Sequence, residues 1–189
     1  MQHRIPPQSS HEQDIHRPET DAGLSDELAA VVAGARRRAV RDGDRQIDTA
    51  HLLHSLLESD PEVRAVLGEG PRIARVLAYL VQRSIGYGLR WQGSVEDSGA
   101  VPVVAEAAGF SPLAAASMGY AGERAARDGR ARARGVDLLA AIMVDPQARA
   151  VEVLDRAGID AHEVFARTGK QEFPDRPSPQ EYVGGNGTG

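Results

Sequence analysis

An internal repeat constrains the fold of this chain more than any other feature. Short segments of the first half recur in the second half 86 positions later, a spacing that falls to 85 after one deleted residue. The recurring pairs are Ser25 and Ser111, Arg41–Gly43 and Arg127–Gly129, Leu52–Leu53 and Leu138–Leu139, Asp60–Pro61 and Asp145–Pro146, and Arg64–Val66 and Arg149–Val151. Segments rich in Ala, Arg and Gly also align by chance, but one spacing shared by separate segments favours a true duplication. Two copies predict one domain, because a single copy would leave an apolar face exposed.

The first helix of each copy is predicted from its apolar period. In both copies, apolar residues fall on one face of a 3.6-residue period. The aligned positions are Leu24, Leu28, Val32, Ala35 and Ala39 in the first copy, and Phe110, Ala114, Met118, Ala121 and Ala125 in the second. Ser25 is a suitable N-cap, and Gly43 is suited to end the helix in a left-handed conformation. The pattern therefore predicts a helix over 25–42.

Three further helices are predicted in the first copy. The second begins at Asp48 or Thr49, since both are good caps. The third begins at Pro61 and ends near Leu67. The fourth opens at Pro71 and directs five apolar residues toward the core: Ile73, Val76, Leu77, Leu80 and Val81. Residues 86–100 contain four glycines and are interpreted as a loop.

Composition supports a helical protein. Hydrophobic residues make up 41% of the chain and aromatic residues only 4%, so alanine, the strongest helix former, supplies much of the apolar content. The absence of cysteine excludes disulfides, cysteine-based zinc sites and thiol catalysis. The 22 basic and 27 acidic residues give a net charge of −5, which disfavours a dedicated nucleic-acid binder. Without a long apolar run or an apolar leader, we expect a soluble, cytoplasmic protein.

The predicted fold class is all-α: a pseudo-twofold, duplicated helical bundle with two repeats of about four helices. Residues 1–23 are polar and proline-containing, and are expected to form a disordered arm; 169–189 are expected to form a disordered tail. The double repeat spans 24–168, with repeat one over 24–85, a linker over 86–109 and repeat two over 110–168.

This arrangement resembles the Clp N-terminal domain, which precedes the ATPase modules of Clp-type AAA+ unfoldases. In the first copy the resemblance is carried by Leu24-Ser25, by the helix end at Ala39–Gly43, and by 47–57, IDTAHLLHSLL, which is similar to the family's Ile-Gly-Thr-Glu-His-Leu-Leu stretch. In the second copy, Phe110–Pro112 is similar to the family's Phe-Thr-Pro opening, and 135–139, GVDLL, is a more degenerate counterpart of Thr-Glu-His-Leu-Leu. The resemblance covers nearly all of the region predicted to be ordered.

The resemblance implies a binding module that lacks the ATPase modules of the unfoldases. The chain has no G-x-x-x-x-G-K-[ST] phosphate loop, so we expect no use of ATP. The resemblance implies that, in related domains, each repeat binds phosphoarginine through a hydroxyl at the start of its first helix and a Glu of the Thr-Glu-His-Leu-Leu motif. The hydroxyls are present as Ser25 and Ser111, but Ala50 and Val136 stand at the two Glu positions, which argues against guanidinium binding. An apolar or generic peptide near Phe110 fits better.

Two patterns are similar to metal sites, and neither is complete. The first is an H-x-x-H with a carboxylate one turn further, formed by His51, His54 and Glu58, for which packing or hydrogen bonding is the favoured role. The second is an acidic run similar to the start of a calcium loop, formed by Asp42, Asp44 and Asp48. Ile47 stands where that loop requires glycine. We expect no metal and no cofactor.

The leading prediction is a non-catalytic protein- or peptide-binding module that acts as adaptor, accessory subunit or decoy in ATP-dependent Clp proteolysis. Its partners would be Clp ATPase or protease components, their substrates or adaptors. The candidate binding residues are Leu24, Ser25, Thr49, His51, Phe110 and Ser111. Two alternatives stay open: a nucleic-acid-binding regulator that uses the arginine clusters at 36–45 and 124–134, and sequestration of small molecules that target the Clp N-domain. No local signature of a catalytic nucleophile occurs, so no enzyme is predicted.

Overall fold

The chain is seen in a computed structural model that describes residues 23–68, 70–84, 95–96 and 109–169. The described part contains eight helices and no strand longer than an isolated bridge, which confirms the all-α prediction. In chain order they are α1 (Asp26–Asp42), α2 (Thr49–Ser59), α3 (Pro61–Leu67), α4 (Gly70–Ser84), α5 (Pro112–Arg127), α6 (Gly135–Met143), α7 (Arg149–Arg156) and α8 (Ala161–Thr168). None of these helices is long and apolar enough to cross a membrane. Nearly all of the predicted arm and of the predicted tail, and most of the predicted loop and linker, lie outside the described residues.

The first helices of the two repeats begin in the same way. The Ser25 hydroxyl accepts a hydrogen bond from the backbone N–H of Leu28 at 3.1 Å, and the Ser111 hydroxyl accepts one from Ala114 at 3.1 Å. Each hydroxyl satisfies a backbone donor that the first helical turn leaves without a partner. Gly43 ends α1 at φ 74°, as predicted for a left-handed C-terminal glycine.

Two central helices, α2 and α6, are buried on every side. All residues over 49–57 in α2 and over 135–143 in α6 are buried. A helix without a polar face is stable only when other helices surround it. Helices of both repeats accordingly pack around α2 and around α6.

The two repeats exchange their packing partners. Helix α2 of repeat one packs against α7 of repeat two, and α6 of repeat two packs against α3 of repeat one. Two isolated bridges follow the same exchange: Leu24 pairs with Ala133, and Ile47 pairs with Phe110. The second bridge is the first with the repeats interchanged at the 86-residue spacing. This reciprocal packing gives the bundle its pseudo-twofold arrangement.

Two details differ from the expectation. The prediction that Val81 faces the core is wrong: it is 51% exposed. The buried stripe of α4 passes through Val76 and Leu80, and Val81 lies about 100° further around the helix. In repeat two, the Asp145 carboxylate accepts the N–H of Gln147 in a turn, so α7 starts later than the matching α3. Its N-cap, Ala148, has no capping side chain.

The close contact of the repeats predicts opposite effects for two glycine substitutions. A Cβ at Gly135 would overlap the Asp60 carboxylate that caps α3 and would lie 3.1 Å from Leu56 Cδ2. We expect G135A to lower the free energy of unfolding by about 1–3 kcal/mol through overpacking. At Gly122, on α5, a Cβ meets no atom within 4 Å, and G122A should raise it by roughly 0.5–1 kcal/mol. Urea denaturation measures both values, and equal effects would contradict the packing.

Candidate functional site

A row of buried polar side chains lies where the repeats meet, and we call it the inter-repeat seam. It consists of Asp48, Thr49, Glu96, Ser111 and Arg149, none of which is more than 8% exposed. Asp48 and Thr49 belong to repeat one, Ser111 and Arg149 belong to repeat two, and Glu96 belongs to the segment between them. Buried polar groups require hydrogen-bond partners, and here several of those partners come from the other repeat or from Glu96.

Asp48 carries the ion pair that crosses the seam. Its Oδ2 lies 2.7 Å from Nη1 of Arg149, and Arg83 of α4 pairs with the same oxygen. Its Oδ1 accepts the backbone N–H of His51 at 2.9 Å. Burial alone would raise the pKa of Asp48, but hydrogen bonding to His51 and the charge of Arg83 outweigh it and hold that pKa well below its usual range. Asp48 is therefore ionised and is balanced by two guanidinium groups.

Glu96 brings a second carboxylate into the seam. It accepts the backbone N–H of Thr49 at 2.9 Å, the Thr49 hydroxyl, the Ser111 hydroxyl at 2.8 Å and the backbone N–H of Arg149 at 2.8 Å. The Thr49 hydroxyl in turn accepts the N–H of Ala150 at 3.1 Å. One carboxylate thus connects the starts of α2, α5 and α7.

A cleft of about 300 Å³ opens onto this network. Asp48, Glu96, Ser111 and Arg149 form its inner wall, and residues of the α1–α2 connection form its rim. Within that rim, Asp44 and Arg45 are exposed. The cleft therefore presents charged groups of both signs to the solvent.

The predicted site residues fall into two places related by the pseudo-twofold. Thr49 and Ser111 meet through Glu96, and the bridge between Ile47 and Phe110 lies beside them. The other predicted pair, Leu24 and Ser25, lies at the equivalent place on the opposite repeat, beside Ala133. The side chains of Leu24 and Phe110 are 7% and 5% exposed, so they pack in the core where the repeats meet and are not open to a ligand.

His51 and His54 point to different partners, so the H-x-x-H does not converge. His51 Nδ1 accepts the backbone N–H of Asp48 at 3.2 Å, and its Nε2 faces Asp44 Oδ2 at 3.2 Å. His54 Nε2 faces Glu58 Oε1 at 3.5 Å. Burial, assisted by the charge of Arg38, lowers the pKa of His54 to about 4, so its imidazole is neutral at neutral pH.

Potential metal ligands do come together elsewhere in the described residues. Atoms of Asp44, Asp48 and His51 lie within 4.8 Å of one another. Arg83 ion-pairs with both carboxylates, at 3.1 Å from Asp44. A cation bound there would have to compete with that guanidinium, which already supplies the positive charge.

The equivalent place in repeat two has inverted charges. At the 86-residue spacing, Arg130, Arg134 and Asp137 occupy the positions of Asp44, Asp48 and His51. Arg130 binds both oxygens of Asp137, at 2.5 and 2.7 Å. Hydrogen bonding to Asp137 raises the pKa of Arg130 although burial opposes it. The two places that the pseudo-twofold relates therefore differ in their electrostatics.

The arginine clusters take part in internal ion pairs. The pairs are Arg38 with Glu58, Arg124 and Arg130 with Asp137, and Arg134 with Glu62. These contacts neutralise several of the charges on which the nucleic-acid alternative depends.

Three residues of the seam, Asp48, Glu96 and Arg149, were not among the predicted site residues; Asp48 was predicted only as a helix cap and as part of the incomplete calcium-loop pattern. Glu96 lies in a stretch without helical periodicity, and no sequence signal indicates that it folds back between the repeats. The repeat aligns Arg149 with Arg64, so the sequence identifies the residue as an equivalent position. Its partner Asp48 lies 101 positions away and is not indicated by the sequence. The long-range pairing gave no local signature.

The seam predicts that two matched arginines differ in their effect on stability. Removing the charge of Arg149 leaves Asp48 buried with one cation fewer, so R149M should lower the free energy of unfolding by about 3 kcal/mol. Among the described residues, the equivalent Arg64 bonds only to backbone carbonyls of Leu57 and Glu58, each at 3.0 Å, and R64M should cost about 1 kcal/mol. Chemical denaturation compares the two, and a larger loss for R64M would contradict the cross-repeat ion pair.

Solved structures show a similar fold. The N-terminal domain of the caseinolytic-protease-associated chaperone ClpD from Arabidopsis thaliana matches with a TM-score of 0.58 and 19% identity, over 78% of this chain and 93% of that one. A chain from a structural study of a malarial protein secretion system matches with a TM-score of 0.56 and 12% identity, again over 78% and 93%. No family model and no curated protein matches this chain. The chain has the fold of the Clp N-terminal domain, as its sequence resemblance predicts.

Proposed function

We propose that this chain is a non-catalytic protein- or peptide-binding module that works with Clp components in ATP-dependent proteolysis. Within that role it acts as adaptor, accessory subunit or decoy. The observation that carries the proposal is the fold, which is similar to that of a domain belonging to a chaperone associated with the caseinolytic protease.

The cleft beside the inter-repeat seam supports a polypeptide ligand. Asp44 and Arg45 line its rim, and Ser111 and Arg149 line its inner wall. Such mixed polar groups suit the backbone and charged side chains of a peptide better than an apolar molecule. The buried side chain of Phe110 offers little apolar surface for a hydrophobic ligand.

Both serine hydroxyls are engaged in internal hydrogen bonds. Ser25 caps α1, and Ser111 both caps α5 and donates to the Glu96 carboxylate. Ser111, which the resemblance implies as a phosphate ligand, therefore already holds an internal anion. This occupation, together with Ala50 and Val136 at the two Glu positions, weighs against phosphoarginine as the ligand of this site.

A binding experiment with purified components tests the proposal. The full chain is titrated against the Clp ATPase of the same organism by calorimetry, and its effect on the degradation of a labelled unstructured substrate by the complete protease is followed. We expect saturable binding, with faster degradation for an adaptor and slower degradation for a decoy.

Two matched variants locate the surface. R45E reverses a charge on the cleft rim and should weaken binding at least about fivefold, or about 1 kcal/mol. A131E introduces the same side chain at the equivalent exposed position of repeat two and should leave binding within about twofold. Failure to bind any Clp component or substrate, combined with salt-dependent retention on DNA, would contradict the proposal and favour the nucleic-acid alternative.

A further inference from the structure

Helix α1 carries an exposed stripe on the side that faces away from the bundle. Its buried side packs against α2 and α6. On the opposite side, four exposed residues follow a heptad spacing, namely Ala30, Ala33, Arg37 and Val40. Positions separated by three and four residues form a continuous seam, through which one helix packs along another. We call these four residues the outer stripe of α1.

Val40 is the largest apolar residue of the outer stripe. Its side chain is 75% exposed, more than that of any other large hydrophobic residue that the structure describes. Covering this side chain would remove apolar surface from water, and the short side chains of Ala30 and Ala33 allow a partner to approach the helix closely. A single exposed valine is ordinary on a protein surface, so the inference depends on the charges around it.

Arginine side chains surround Val40. Arg36 and Arg37 precede it by one helical turn and are exposed. In the described part of the chain neither of them forms an ion pair, whereas Arg41 pairs with its neighbour Asp42 at 3.3 Å. In the heptad pattern Arg36 and Arg41 flank the stripe, where charged residues select a partner helix by its charge. The surface around Val40 is therefore positive.

Repeat two shows that a first helix folds without these residues. At the 86-residue spacing, the counterparts on α5 are Gly122 for Arg36, Glu123 for Arg37 and Ala126 for Val40. All three counterparts are exposed, and α5 still forms a helix of 16 residues, compared with 17 in α1. Both helices also have arginine in the last turn, so the helix dipole does not account for the additional arginines of α1.

The charge pattern favours an acidic helix over a nucleic acid. Nucleic-acid affinity grows with the number of phosphates that are neutralised, and the described residues leave only Arg36 and Arg37 unpaired around Val40. The whole chain has a net charge of −5, which repels a polyanion more strongly than a short helix with a few carboxylates. A valine among arginines matches an apolar residue flanked by carboxylates.

We propose that the outer stripe of α1 is a docking surface for one acidic amphipathic helix of a partner protein. The partner places an apolar residue over Ala33 and Val40, and glutamate or aspartate side chains beside Arg36 and Arg37. The stripe spans about three helical turns, so the contact is small and binding is weak and reversible. None of its residues lines the cleft, so the proposal goes beyond the proposed function and does not depend on it.

Peptide binding to the full chain tests the docking surface. The probe is a fluorescein-labelled helical peptide of about five turns, with leucine at heptad spacing and glutamate on both flanks. Its control has glutamine at every glutamate position, since both residues favour a helix. Fluorescence anisotropy should show saturable binding of the glutamate peptide, with a dissociation constant below about 1 mM and at least about fivefold below that of the control. Added sodium chloride should reduce this difference.

Two variants and a matched control locate the binding. R36Q/R37Q removes both unpaired charges and should weaken binding of the glutamate peptide at least about fivefold, and V40S should weaken it at least about threefold. E123Q changes the equivalent exposed position of repeat two and should leave the dissociation constant within about twofold. All these positions are exposed, so the thermal midpoints of the variants should stay close to that of the wild type.

Amide resonances identify the surface independently. In ¹H–¹⁵N spectra, the signals of Ala33, Arg37 and Val40 should shift as the glutamate peptide is added, whereas the signal of Ser111 in the cleft should not. Shifts confined to the cleft would overturn the docking surface and assign the peptide to the proposed ligand site.

Three further results would contradict the proposal. The first is equal binding of the glutamate and glutamine peptides, or binding of neither. The second is a dissociation constant within about twofold of the wild-type value for either R36Q/R37Q or V40S. The third is tighter binding of a DNA duplex than of the glutamate peptide, lost in R36Q/R37Q, which would assign these arginines to nucleic acid.

Discussion

The reciprocal burial of α2 and α6 is the interaction on which the rest of the structure depends. Leu52, Leu56, Leu138 and Ile142 are 0% exposed on these helices. Burying one such side chain contributes roughly 1.5–3 kcal/mol, and part of that burial comes from helices of the opposite repeat. The duplication seen in the sequence is therefore a structural requirement: each copy completes the core of the other.

The polar seam lies at a place where this apolar interface is interrupted. An ion pair between Asp48 and Arg149 and four hydrogen bonds to the Glu96 carboxylate connect the repeats. The equivalent place in repeat two contains Arg134 where Asp48 stands in repeat one. The core thus preserves the pseudo-twofold, while the charged positions around it differ between the two repeats.

The sequence predicts the helices well because their signals are local. The Ser25 and Ser111 caps, the Gly43 helix end and the apolar stripes each depend on residues within a few turns, and the structure confirms them. The seam could not be predicted in the same way, since Glu96 and Arg149 reach their partners across 47 and 101 positions. Val81 shows a further limit: an apolar residue next to a buried stripe does not have to belong to it.

Separating the repeats tests the central claim most directly. Residues 1–108 and 109–189 can be produced as two fragments and followed by far-ultraviolet circular dichroism during thermal unfolding. Interdependent cores predict that neither fragment alone shows a cooperative transition and that mixing them restores one, with a midpoint that rises with concentration. A cooperative transition in either fragment alone, unchanged by its partner, would contradict the account.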